Sequence, residues 1–154
     1  MNMPFIERVD ANGTILPIAD SEIDVVLRQG AALHCDFRPD IRSDYLGHLK
    51  QMATEGACIM QLVDGGDVRA IAVWRTFLTT YCGRRFEIDD LVTAADHRSK
   101  GYGATLIKAL ERKARALSCE TVMLASATRR VDAHRFYFRE RFAIDAFLFS
   151  KTLS

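Results

Sequence analysis

Seven residues, Arg98-Ser99-Lys100-Gly101-Tyr102-Gly103-Ala104, constrain this chain more than any others. Phe86-Glu87-Ile88-Asp89-Asp90-Leu91-Val92-Thr93 precedes them and reads as a strand, and an amphipathic stretch from about Gly101 to Leu117 follows and reads as a helix. Two glycines and two basic residues therefore sit where a strand hands over to a helix N-terminus. The first N–H groups of a helix have no intrahelical partner, and the macrodipole is positive at that end. Glycine removes the Cβ that would keep a ligand away from the backbone. Together these features suit a phosphate or pyrophosphate. The spacing differs from the dinucleotide fingerprint, because Leu106 stands where its third glycine would be, and from the P-loop, because Lys100 precedes Gly101 and no Gly-Lys-Ser/Thr follows. An unrelated nucleotide-binding domain is therefore disfavoured.

The rest of the chain suits one domain spanning residues 1–154, long enough to bury a core. Lys+Arg is 21 against Asp+Glu 20, and a net charge of +1 gives no case for a nucleic-acid or membrane partner. The four cysteines, Cys35, Cys58, Cys82 and Cys119, have neither metal-ligand nor redox spacing. His34, His48, His97 and His134 likewise share no metal spacing, so no metal is expected. Reduced thiols and the lack of an apolar leader core in Met1–Arg8 point to a cytoplasmic protein.

Periodicity predicts a short strand at Phe5–Val9, a loop at Gly13–Pro17, and a helix capped by Ser21, weakened by Gly30 and ended before Pro39. A second helix follows, capped by Ser43 or Asp44 and stopped by Gly56. Three strands come next, Ala57–Val63, Val68–Leu78 and Arg85–Thr93, joined by turns at Asp64-Gly65-Gly66-Asp67 and Cys82-Gly83-Arg84. After the glycine stretch and its helix come a strand at Thr121–Ala125, a helix with Asp132 as cap, and a closing strand at Ala143–Lys151. The Thr121–Ala125 strand is expected beside, and parallel to, the strand before the crossover helix. The sum is an α+β fold: a mixed, mainly antiparallel central sheet with one parallel pair and helices on both faces.

The stretch Arg98–Ala104 resembles the [Gln/Arg]-x-x-Gly-x-[Gly/Ala] motif of the GNAT acyl-CoA-dependent N-acetyltransferases. The element order is similar to theirs, and Ala133-His134-Arg135-Phe136-Tyr137-Phe138-Arg139-Glu140-Arg141-Phe142 resembles their Ala-x-x-Phe-Tyr-x-x-x-Gly-Phe segment. The likeness covers roughly residues 57–150 and is poor before them. Two departures stand out: Arg141 replaces the glycine before Phe142, and Ser126-Ala127-Thr128-Arg129-Arg130 replaces an asparagine often found after the preceding strand.

The resemblance implies acetyl-CoA as cosubstrate and an amine acceptor, a small molecule or a peptide amine, attacked directly in a ternary complex. It implies that Arg98, Ser99, Lys100, Gly101, Tyr102, Gly103 and Ala104 hold the pyrophosphate, chiefly through backbone N–H groups. Leu91, Val92 and Thr93, with Ala94, would pair with the pantetheine arm. Tyr137 takes the family's general-acid position. Glu87 stands where some members place a catalytic base, with Asp89 the runner-up or an anchor for the cationic amine. A period of two sets Glu87, Asp89 and Leu91 on one strand face and Asp90 on the other. Arg84 and Arg85 are the obvious partners if Glu87 is only ion-paired. Trp74 and Tyr81 are candidates for an acceptor pocket or for the core, and Asp36, Asp40 and Asp44 cluster near the first interhelical loop. A non-catalytic acyl-CoA sensor on the same fold is the alternative, and self-association as a homodimer stays open.

Overall fold

The structure, a computed structural model, describes residues 5–153. Met1–Pro4, which begin the stretch read as lacking a leader core, and Ser154 lie outside the described residues. The elements are β1 (Ile6–Val9), β2 (Ile15–Leu16), α1 (Ile23–Gln29), α2 (Ala31–Phe37), α3 (Tyr45–Thr54), β3 (Cys58–Asp64), β4 (Asp67–Leu78), β5 (Arg84–Thr93), α4 (Tyr102–Ala116), β6 (Thr121–Leu124) and α5 (Val131–Arg139), with short 3-10 turns at Asp20–Glu22, Pro39–Asp44 and Ala95–His97. Six strands form one sheet in the order β2-β1-β3-β4-β5-β6. The parallel pair with a defined register is β1 and β3, Ile6 opposite Ile59, joined through α1–α3, while β3, β4 and β5 form an antiparallel meander. β6 lies beside β5, as expected for the strand after the crossover helix. The chain divides into two compact units between Met123 and Leu124.

In the first unit, side-chain alternation along the strands decides which helix meets which face. Ile6, Ile59, Ile71 and Val73 pack into one cluster with Val26 and Leu27 of α1, Cys35 of α2, and Tyr45 and Leu49 of α3. Glu7, one residue on from Ile6, turns the other way and meets Lys113 of α4 at 2.7 Å. Leu106, Ile107, Ala109, Leu110 and Ala114 of α4 are all buried on that side.

Gly30 does more than weaken the first helix; it divides it into α1 and α2. A Cβ there would lie 2.6 Å from Gln61 Nε2 and 2.8 Å from the Ile71 side chain, so any larger residue would have to displace these side chains to keep this approach to the sheet. The break leaves the Val26 carbonyl in need of donors. Gln61 Nε2 and Arg8 Nη2 both donate to it, and Arg8 Nε donates to Gln61 Oε1, which accounts for a fully buried glutamine in an apolar strand.

Several local expectations are corrected. The Ser21 cap is not used; the Glu22 carboxylate instead accepts from the Ala19 N–H at 3.1 Å. The loop at 13–17 contains β2, which pairs with β1. For α3, Asp44 is the cap and accepts from the Gly47 N–H, whereas Asp132 lies inside the first turn of α5 and caps nothing.

In the second unit α5 ends in a left-handed residue, and Arg141, at φ 67, takes that conformation where glycine would take it without strain. The turn closes in spite of this departure from glycine, with Arg141 N–H donating to Phe138 O at 3.1 Å and Phe142 N–H to Tyr137 O at 2.9 Å. The closing strand at Ala143–Lys151 is absent: residues 142–153 form neither helix nor strand. A strand exists only through a neighbour that takes its backbone hydrogen bonds, and this segment has none among the described residues.

Candidate active site

The turn after β5 is built from two left-handed residues. Ser99 has φ 64 and Gly101 φ 87, and the space around a Cβ at Gly101 is open. A serine at positive φ is uncommon. Thr105 N–H is the first donor to find a helix carbonyl, Gly101 O at 2.9 Å, and no side chain caps α4. The N–H groups of Tyr102, Gly103 and Ala104 therefore precede the first intrahelical bond at the positive end of a fifteen-residue helix. Arg98, Ser99, Lys100 and Gly101 are all exposed. The Tyr102 side chain is used otherwise: its hydroxyl donates to Asp64 Oδ2 at 2.6 Å, tying the first residue of α4 to the end of β3. That turn can hold a diphosphate, and an open Cβ position with free N–H groups fits the close backbone approach such a ligand requires.

Leu91, Val92 and Thr93 pair on one side with Ala72, Ile71 and Ala70. On the other side stands β6, four residues long against ten in β5. The chain enters β6 beside the start of β5, where Glu120 N–H donates to Arg84 O at 2.8 Å. The far end of β5, leading into the glycine turn, thus outruns its neighbour on that edge.

A β-bulge corrects the expected strand faces. Val73 is opposite Asp90 and Trp74 opposite Ile88, so Asp89 is the extra residue. Glu87 is opposite Arg75, whose guanidinium binds Asp89 Oδ2 at 2.7 Å and reaches the Glu55 carbonyl at the end of α3. Asp90, level with Val73, meets α2. Glu87, Asp89 and Asp90 therefore share the α1–α3 face, while Leu91, opposite Ala72, turns to the other. Glu87 is held by Arg85, Nη2–Oε2 2.6 Å, so the arginine partner foreseen from sequence is present. Arg85 also donates to the Tyr81 hydroxyl at 2.7 Å and lies over the Phe77 ring. Trp74 belongs to the core, stacked on Phe86 with centroids 4.5 Å apart, while Tyr81 is 67% exposed. Of the acidic loop cluster, Asp36 is paired with Arg42 and Asp44 is the α3 cap.

The most densely wired polar group escaped the sequence reading. His34 is buried; its Nε2 lies 3.0 Å from Asp90 Oδ2 and its Nδ1 3.1 Å from the Tyr45 hydroxyl. Arg38 donates to Asp90 Oδ1 from Nε at 2.9 Å and from Nη2 at 2.6 Å. With Nε2–H donating to Asp90 and Tyr45 O–H donating to Nδ1, a neutral imidazole satisfies every member. Burial raises the Asp90 pKa, but the hydrogen bonds from His34 and Arg38 outweigh it and hold the group below the ordinary carboxylate value. Burial also raises the Tyr45 phenol. His34 and Arg38 stand one helical turn apart, a spacing visible in the sequence; that Asp90 faces them was not, because the bulge decides it.

Asp90→Asn should therefore destabilise the fold by about 1.5–3 kcal/mol, the range for hydrogen bonds to a charged group. A lowered folded-state pKa means the wild type keeps this contribution above the unfolded aspartate pKa, about 3.9, and loses it as pH falls through the lower folded value. Urea denaturation at pH 7 and near pH 3 should show the mutant deficit shrinking in acid; a constant deficit would count against the ion-paired arrangement.

In the second unit, Tyr137 on α5 is 9% exposed, and burial raises its pKa. Its ring packs edge-on to Phe142, centroids 5.8 Å apart. The hydroxyl makes no hydrogen bond among the described residues. Glu87, Asp89, Leu91–Thr93 and Arg98–Ala104 all belong to the first unit.

This architecture is that of acetyltransferases of known structure. An aminoglycoside N-acetyltransferase, AAC(6')-Iy, in complex with CoA matches 84% of this chain and 90% of its own with a TM-score of 0.73 at 12% identity. A ribosomal-protein-alanine N-acetyltransferase from Brucella melitensis biovar Abortus 2308 matches 82% and 93% with a TM-score of 0.71 at 20% identity. In sequence, the uncharacterized N-acetyltransferase YhdJ of Bacillus subtilis is 36% identical over 98 residues, 63% of this chain and 69% of that protein. An aminoalkylphosphonate N-acetyltransferase of Salmonella typhimurium is 37% identical over 67 residues, 44% of each. The chain belongs to the acetyltransferase (GNAT) family, whose pattern matches residues 28–142.

Proposed function

We propose that this protein transfers an acetyl group from acetyl-CoA to a primary amine by direct attack within a ternary complex. The observation that carries the reading is the run of β5 past its short neighbour into a left-handed turn and an uncapped helix N-terminus. In this reading the N–H groups of Tyr102, Gly103 and Ala104 hold the pyrophosphate, with the Arg98 and Lys100 charges beside it. Leu91, Val92 and Thr93 offer their free edge to the pantetheine arm. A neutral amine, produced by proton loss to Glu87 or Asp89, attacks the thioester carbon. The C–S bond breaks, Tyr137 gives its proton to the departing thiolate, and the second proton shed by the attacking nitrogen returns to the Tyr137 phenolate. A phenol whose pKa is raised by burial is fully protonated at neutral pH and suits that donor role.

The relative that acts on aminoalkylphosphonates makes small amines with an anionic group the first acceptors to test, followed by aminoglycosides and peptide N-termini. Thiol release from acetyl-CoA is the readout. Saturable binding of acetyl-CoA without thiol release across these classes would favour a sensor on the same fold.

Ligand binding should also stabilise the protein, by about 2.7 kcal/mol at one hundred times the dissociation constant. CoA should raise the melting temperature far more than pantetheine, because the diphosphate meets the helix end. Gly101→Val should remove most of that difference, since a β-branched residue at φ 87 forces the turn to rearrange. An equal shift with pantetheine alone would refute the diphosphate site.

A further inference from the structure

A bulge leaves the ladder intact above and below it, wherever along the strand the extra residue falls. The pairing of β4 with β5 therefore does not by itself choose Asp89. Were Asp90 the extra residue, Ala72 would still face Leu91 and Trp74 would still face Ile88, and Asp89 would stand opposite Val73. By strand alternation Asp90 would then turn with Leu91 away from α1–α3. Asp89 would leave the level at which Arg75 holds it. Side chains from outside the sheet have to decide between the two arrangements, and those that reach Asp90 come from α2.

The break at Gly30 lets α2 start close over the sheet, and Pro39 ends it, since the residue before proline resists helical geometry. His34 and Arg38 stand one turn apart and reach β5 from the same side. Three donor groups close on one carboxylate: His34 Nε2–H on Oδ2, and Nε–H and Nη2–H of Arg38 on Oδ1. Both donors are themselves held. The Tyr45 hydroxyl sits on His34 Nδ1, and the Arg38 guanidinium lies over the Phe37 ring at 4.3 Å. The His34 side chain is only 2% exposed, so with Asp90 turned away its Nε2–H would be buried without an acceptor, which folded chains avoid.

We infer that His34 and Arg38 are positioning residues: by holding Asp90 on α2 they fix the bulge at Asp89, and with it the placement of Glu87 and Asp89 relative to Leu91–Thr93. A bulge bends its strand and increases the local twist. Its position therefore sets how the near end of β5, which carries the carboxylates, is aimed against the far end, which leads to the glycine turn. The expected effect on rate rests on the proposed reaction; the position of the bulge is read without activity.

The test uses two substitutions at one site. His34→Asn keeps an acceptor for the Tyr45 hydroxyl but is too short to donate to Asp90, whereas His34→Gln sets an amide N–H where Nε2–H stood. Cross-strand nuclear Overhauser contacts should place Asp90 opposite Val73 in the wild type and in His34→Gln, and Asp89 opposite Val73 in His34→Asn. With an acceptor that the wild type acetylates, kcat of His34→Asn should fall about 10²-fold, the scale of a ~1 Å misplacement. KM for acetyl-CoA and calorimetric affinity for CoA should stay unchanged, because the glycine turn is untouched, and His34→Gln should recover most of the rate. Where His34→Asn does not fold, Arg38→Met, at a side chain 51% exposed, carries the same two readouts. A wild-type bulge in His34→Asn would overturn the inference, as would a shifted bulge with wild-type turnover or equal losses in His34→Asn and His34→Gln. A wild type that releases no thiol with any acceptor would refute the proposed reaction instead, and the bulge position in His34→Asn would still decide whether α2 fixes it.

Discussion

Tyr137→Phe is expected to lower turnover by roughly 10²- to 10⁴-fold, the scale of a positioned general acid, while acetyl-CoA affinity changes little. The substitution keeps the ring that packs against Phe142 and removes only the hydroxyl. Because that hydroxyl makes no hydrogen bond among the described residues, its loss leaves no protein donor or acceptor stranded, and stability should be nearly unchanged. A thiolate must otherwise leave the enzyme-bound thioester without a proton, and raising the pH does not help it. The defect should therefore persist across the pH range in steady-state assays with an established acceptor. Wild-type turnover in Tyr137→Phe would leave that side chain a core aromatic and nothing more.

The second large effect concerns the base. Glu87→Gln should lower turnover by roughly 10²-fold or more at low pH, where nearly all the amine is protonated. Much of the rate should return as the pH approaches the amine's own pKa, because free amine then arrives without help. Glutamine keeps the shape and can still accept from Arg85 through its carbonyl, so the ion-pair geometry is perturbed less than by truncation. Asp89→Asn is the matched control, since Arg75 holds that carboxylate in the same way. A Glu87→Gln profile parallel to wild type, with the low-pH loss in Asp89→Asn, would assign the base to Asp89. Two parallel profiles would remove both side chains from proton transfer, leaving Asp89 in an ion pair that ties β5 to β4 and Glu87 in one within β5.

These expectations rest on features read at different levels. The glycine turn was legible because its constraint is local: glycine takes the left-handed conformation without strain, and an uncapped helix start needs no distant partner. The three-strand meander was legible from its turns, and α4 from the spacing of Leu106, Ile107, Leu110 and Ala114. These residues determine strand, turn and helix within a few positions of themselves, whatever packs around them.

The tertiary structure decided what depends on two distant segments at once. The bulge at Asp89 is a mismatch between β4 and β5, so no inspection of β5 alone could move Asp90 to the side of Glu87. His34, Arg38 and Tyr45 acquire their partners only when α2 and α3 lie across that face. Gly30 divides α1 from α2 because Gln61 and Ile71 come close beneath it, a contact made across the sheet. The stretch 143–151 has the composition of a strand and forms none, because a strand's hydrogen bonds belong to its neighbour. Propensity is carried by one segment of chain; register, face and pairing are properties of two.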